Sequence, residues 1–134
     1  MEKHWLKSYP AGVRPTIDVS EYRSLTHLID SSLKEHADHV AYVQMGTELS
    51  YRELDQQSAA FAAWLQQTAG IQKGDRVAVM MPNILQYPIA VCGVLRAGGT
   101  VVNTNPLYTP RELEHQLTDS GATVIVILEN FAHV

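Results

Sequence analysis

Residues 99–128 read GTVVNTNPLYTPRELEHQLTDSGATVIVIL, and how this stretch folds decides the architecture. It opens on a β-rich run, GTVVNT (99–104), and closes on another, TVIVIL (123–128). Between them lies a helix whose start is written in the residues. Thr109 stands as N-cap, Pro110 takes the first helical position, and Glu112, three residues after the cap, completes a capping box. A strand, a helix and a second strand in this order form a crossover that sets the two strands parallel. The unbroken apolar run VIVIL (124–128) predicts a strand covered on both faces, as strands of parallel sheets are.

Upstream, RVAVMM (76–81) reads as a third such strand, joined to GTVVNT by a helical stretch over 83–97. Pro88 falls inside that stretch, so the helix either begins near Tyr87 or kinks there, because proline lacks an internal donor. The glycines of RAGG (96–99) follow a helix and precede a strand, which makes Gly98 a helix-ending glycine. A dinucleotide-binding glycine loop has the reverse order. The three runs together predict an α/β fold with a parallel βαβαβ unit.

A helix and a hairpin precede this unit. Leu25, Leu28, Ile29 and Leu33 recur at helical spacing from Ser24 to about His36. VAYVQM and TELSY then read as a hairpin turning around Gly46-Thr47. Ser50 and Glu53 form a second capping box, opening a helix with Leu54, Phe61, Ala62 and Leu65 on one face and a stop near Gly70. Residues 1–22, with Pro10 and Pro15, read as an extended lead-in, and Trp5 and Tyr9 as side chains packing across the domain, with a self-association surface as the alternative. Three parallel strands and a hairpin make a thin sheet with unpaired edges. Residues 23–134 are therefore expected to be an incomplete α/β segment of a larger domain.

Bulk properties exclude several classes. The chain has 134 residues, 46% of them hydrophobic and 18% charged, with a formal net charge of −4, as in ordinary globular protein. No basic patch points to nucleic acid. Its one cysteine, Cys92, cannot form an intramolecular disulfide and fits a reducing, cytoplasmic setting. Cys92 sits among apolar neighbours and reads as a small buried hydrophobe, since no His or Lys stands near it to lower its pKa. His36 and His39 lie three apart without a second ligand pair, and read as a solvated helix end. No metal ligand set and no catalytic nucleophile stands out.

Certain stretches carry a family resemblance. LSYREL (49–54) resembles the first short core motif of adenylate-forming enzymes, and GDRVAVMMPN together with GVLRAGGTVVNTNPLYTPRELEHQL, within 74–117, resembles their next block. WLKSYPAGV, FAAWLQQ, MMPNILQYPIAVCGVLRAG and NPLYTPRELEHQLTDSGA resemble the amino-terminal part of the bacterial long-chain fatty acid–CoA ligases within that superfamily. The resemblance implies an ATP-dependent ligase that makes an acyl-adenylate from a long-chain fatty acid and then transfers the acyl group to coenzyme A, with magnesium assisting the first step. It also implies a cytoplasmic enzyme, compatible with peripheral attachment to the inner face of the cell membrane and with a homodimer.

The phosphate loop with its lysine, the magnesium-holding Thr-Glu element, the ribose-binding aspartate and the catalytic lysine lie further along in such enzymes. No catalytic or metal residue is therefore expected here, and the chain by itself is expected to be inactive. Arg111 falls where relatives place arginines against the nucleotide end of coenzyme A, and an arginine near a helix amino terminus suits a phosphate. The plainer reading pairs Arg111 with Glu114 or Asp119. Asn103, Asn105 and Pro106 read as loop architecture, with a ligand role as the alternative. The rival to the enzyme reading is a small non-enzymatic signalling or nucleotide-binding module. A cation-binding receiver of that kind needs acids at its strand ends, where this chain has Met81-Pro82-Asn83 and Asn103-Thr104-Asn105.

Overall fold

The computed structural model describes residues 3–133; Met1 and Glu2 of the lead-in, and Val134, lie outside them. The lead-in is not extended throughout, since His4–Ser8 form a short 3-10 helix, and Trp5 and Tyr9 do not pack across the domain but stand 51% and 43% exposed. Helix α1 (Leu25–Glu35) starts at Ser24, whose hydroxyl accepts from the His27 amide. Strands β1 (Val40–Gln44) and β2 (Thr47–Ser50) form an antiparallel hairpin. The turn is one residue earlier than the sequence suggests. Met45 and Gly46 occupy it, both with positive φ (50° and 80°), the combination that two-residue turns matching strand twist require.

Helix α2 (Tyr51–Gln67) opens on the Ser50–Glu53 capping box, and both of its reciprocal bonds form. Strand β3 (Arg76–Met80) leads to helix α3 (Gln86–Arg96), then to β4 (Thr100–Thr104), α4 (Pro110–Ser120) and β5 (Val124–Ile127). The Thr109–Glu112 capping box forms, with Pro110 first in the helix. The two readings of Pro88 are resolved in favour of a late start. It is the third residue of α3, in the turn whose amides have no intrahelical acceptor, so its missing N–H costs nothing. At the other end, Gly98 N–H bonds to Leu95 O and Gly99 N–H to Val94 O, with Gly98 at φ 87°, a Schellman stop.

The sheet has the order β4-β3-β5, all parallel. The hairpin does not extend it; β1 and β2 form a separate two-stranded sheet. Val77, Val79 and Met81 point into a core with Ala62 and Leu65 of α2 and Ala90 and Val94 of α3. Ala78 and Met80, on the opposite face, are also fully buried, and α4 packs against β4. The expectation that both faces of VIVIL are covered fails at one point. Ile125, the partner of Ala78, is 37% exposed, and the helix that packs against the sheet's other edge, α4, contacts β4. A smaller cluster of Leu33, Leu49 and Leu54 joins α1, the hairpin and α2, with Cys92 packed against it.

Candidate functional site

In an open parallel sheet, ligands bind outside the carboxyl ends of the strands. Met80 pairs with Thr104, so β3 and β4 end level and their loops leave the sheet side by side. Between those loops lies a cleft of about 330 Å³, lined by residues that include Met81, Asn83, Tyr87, Asn103, Asn105 and Tyr108. None of its lining side chains carries a charge at neutral pH.

Several polar residues here have a structural task. The Tyr87 hydroxyl donates to Asn103 Oδ1 at 2.8 Å. Asn105 Oδ1 accepts from the Leu107 amide at 3.0 Å, the Asx turn expected of an asparagine in this loop. Gln116 Nε2 donates to the Asn103 carbonyl at 2.9 Å, tying α4 to the strand end. With their oxygens engaged, Asn103 and Asn105 keep their carboxamide N–H groups for a ligand acceptor.

Two further clefts continue along α4. One, of about 260 Å³, is lined by Tyr108, Glu112, His115, Gln116 and Asp119, and shares Tyr108 with the first. The other, of about 420 Å³, is lined by Thr109, Arg111, Glu112 and His115. Shared residues make the three one strip, uncharged at the sheet edge and bearing Arg111 at its far end. Arg111 is the second residue of α4 and is exposed. Among the described residues neither Glu114 nor Asp119 pairs with it. Glu112 is held below the usual glutamate range by the Thr109 backbone amide and then by its hydroxyl, so its carboxylate is already engaged.

Other residues singled out from sequence lie away from this strip. The rings of His36 and His39 stack at 5.6 Å, with Tyr51 beside His36. Burial pushes the Cys92 thiol up, against a smaller opposing effect of Arg96, so it is poorly suited to attack as a thiolate.

Sequence reasoning missed Arg96. Its guanidinium bonds to Asp30 on α1 and to the Asp55 carboxylate, the Asp55 carbonyl and the Ser58 hydroxyl on α2. The partners are 66, 41 and 38 residues away, and no local pattern announces them.

Residues 29–134 match the family model described as AMP-binding enzyme. The long-chain-fatty-acid–CoA ligase of Yersinia pestis is 61% identical over 133 residues, covering 99% of this chain and 24% of the relative. The enzyme of the same description from Escherichia coli O157:H7 is 58% identical over the same shares. The chain thus spans about a quarter of the length of the curated relatives it matches. Among solved structures, a luciferase-like enzyme from the mealworm Zophobas morio superposes with a TM-score of 0.81 at 21% identity, over 88% of this chain and 29% of that one, a likeness of fold.

Proposed function

The chain belongs to the AMP-binding enzyme family, and from that premise we propose that it supplies framework to a long-chain fatty acid–CoA ligase. The observation that carries this reading is the sequence likeness to such ligases over nearly the whole chain. In the proposed reaction a fatty acid carboxylate oxygen attacks the α-phosphorus of ATP, and pyrophosphate leaves. The coenzyme A thiolate then attacks the acyl carbonyl, and AMP leaves.

The geometry supports a place for this segment on the coenzyme A side. A neutral cleft with free carboxamide donors suits an uncharged, amide-bearing arm, and Arg111 at the other end of the strip suits a phosphate. Magnesium is ordinarily held by one or two carboxylates together with substrate phosphates. The described residues hold no group of three or more His, Cys, Asp or Glu side chains able to grip a metal ion. In this reading its ligands, and the groups that act on ATP, belong to the rest of the protein.

No helix among the described residues is long and apolar enough to cross a membrane. Within the same proposal the enzyme is cytoplasmic and meets its lipid substrate from the surface of the inner membrane.

The test has two arms. The full-length protein is expected to catalyse pyrophosphate exchange that depends on a long-chain fatty acid, followed by thioester formation with coenzyme A. The 134-residue chain alone is expected to catalyse neither. Exchange by the short chain would overturn the framework role, and a full-length protein that activates only amino acids would overturn the substrate class.

A further inference from the structure

The hairpin belongs to a separate sheet, yet one of its side chains reaches the rim of the strand-end cleft. Gln44, the last residue of β1, donates from Nε2 to the Asn83 carbonyl at 3.2 Å and accepts at Oε1 from the Leu85 amide at 3.2 Å. Among the described residues these are the hydrogen bonds that join β1 and β2 to the three-stranded sheet and its loops.

Their location is significant because α3 has no cap of its own. Its N-cap residue is Leu85, with helical backbone angles and no side chain that accepts from the first turn. The Tyr87 amide turns back to the Ile84 carbonyl, and Pro88 has no amide. The Leu85 amide therefore depends on an acceptor from elsewhere, and Gln44 is that acceptor. One carboxamide pins both the carbonyl that enters the turn and the amide that leaves it.

The pinned segment carries Asn83 and Tyr87 into the cleft. Tyr87 in turn bonds Asn103 Oδ1, which fixes the amide's orientation with its N–H donors turned away from the hydroxyl. Without the hydroxyl, the Asn103 amide is free to rotate and present either end. We propose that Gln44 is a positioning residue, which acts from the hairpin through the 83–87 rim and Tyr87 to set the Asn103 carboxamide as a donor to an uncharged, acceptor-bearing part of the ligand. The assignment of that ligand part to coenzyme A rests on the ligase reading; the positioning itself does not.

The test uses the full-length protein with Gln44→Ala, Gln44→Glu, Tyr87→Phe and the Gln44→Ala/Tyr87→Phe pair. Hydrogen exchange of peptides covering 82–88 is expected to quicken by roughly tenfold in Gln44→Ala, with β3 and β4 unchanged. In Gln44→Glu, which keeps the acceptor for Leu85 but loses the donor to the Asn83 carbonyl, exchange at 82–88 is expected to quicken less than in Gln44→Ala, while unchanged protection of β3 and β4 guards against a general loss of folding. With nitrogen-labelled asparagine, the Asn103 carboxamide signal moves in Gln44→Ala and in Tyr87→Phe alike. The Michaelis constant for coenzyme A rises roughly fivefold in Gln44→Ala with kcat within about twofold. In the Tyr87→Phe background the same substitution changes it by less than about twofold, because both act on one element.

Unchanged exchange at 82–88 in Gln44→Ala, an Asn103 signal that ignores Gln44, or additive effects on the Michaelis constant would each overturn the proposal. If the wild-type protein forms no thioester, the ligase reading fails. The exchange and asparagine measurements then decide the positioning role by themselves.

Discussion

Arg96 on α3 reaches across to α1 and gives two hydrogen bonds to a single oxygen of Asp30, from Nε at 3.0 Å and from Nη2 at 2.8 Å. The same guanidinium holds the Asp55 carboxylate on α2, so one cation ties three helices behind the sheet. It carries one positive charge against two negative ones, which leaves the cluster poised to suffer if the arginine is lost. Its side chain is 15% exposed, while Asp30 and Asp55 are 42% and 40% exposed.

Replacing Arg96 by alanine should therefore destabilise the protein by about 2 kcal/mol. That is below the ~3–5 kcal/mol cost of breaking a fully buried pair, because water still reaches both aspartates. Arg96→Lys keeps the charge but loses the planar fork, and should recover about half of the loss. Urea unfolding midpoints across the two variants test this. An Arg96→Ala midpoint equal to wild type would mean that the cluster contributes nothing net.

Gly93 marks where α2 and α3 come closest. A Cβ built there would lie 2.6 Å from Phe61 Cδ1 and 3.2 Å from the Ser58 carbonyl oxygen. Alanine favours a helix over glycine by ~1 kcal/mol, yet overpacking at such a contact costs about 1–3 kcal/mol. Packing should win, and Gly93→Ala should lower the melting temperature. Adding Phe61→Ala removes the closer obstacle, so the penalty of Gly93→Ala should shrink in that background. An equal penalty in both backgrounds would shift the cause to the Ser58 backbone.

Acid should loosen α2 and α4 from their amino ends. Glu53 and Glu112 are both held below the usual glutamate range, first by the backbone amide of the capping residue and then by its hydroxyl. A carboxyl whose pKa falls on folding stabilises the fold above its unfolded value of about 4.3, and that contribution is lost as pH drops through the lower folded value. Glu112→Gln retains an acceptor for the Thr109 amide without the titration. The difference in stability between wild type and this variant should thus be constant from neutral pH to about 5 and narrow below about 4. A difference independent of pH would separate the capping box from acid sensitivity.

Much of this framework was legible because its signals are local. Ser50 with Glu53, Thr109 with Glu112, and Gly98 each act within one helical turn, and all three formed as their spacing implied. The parallel order also followed from strand and helix alternation. What the residues did not announce is non-local. Gln44 meets Leu85 across 41 residues, and Arg96 meets Asp30 across 66. Periodicity placed Arg96 in the last turn of its helix, where solvent would be the ordinary surrounding. Asn103 and Asn105 read first as loop architecture, with a ligand role as the alternative, and the Tyr87 hydroxyl that orients Asn103 comes from α3, 16 residues away. The exposure of Ile125 could not be read from an apolar run, because the run does not say which strand the helices cover.

The hairpin turn offers a stabilising change. Met45 is 98% exposed and holds φ at 50°, where a side chain with a Cβ pays a steric cost of roughly 1 kcal/mol. Nothing in its surroundings repays that cost, since the thioether buries almost no surface. Asparagine tolerates this region far better, and Asn-Gly is the favoured pair for a two-residue turn of this kind. Met45→Asn should raise stability by about 0.5–1 kcal/mol, whereas Met45→Val, branched at the strained position, should lower it. The relevant measurement is the unfolding midpoint of the hairpin region, followed by exchange of the cross-strand amides between Val43 and Glu48. If Met45→Asn leaves both unchanged, the turn carries no strain and the one-residue shift from Gly46-Thr47 has another origin.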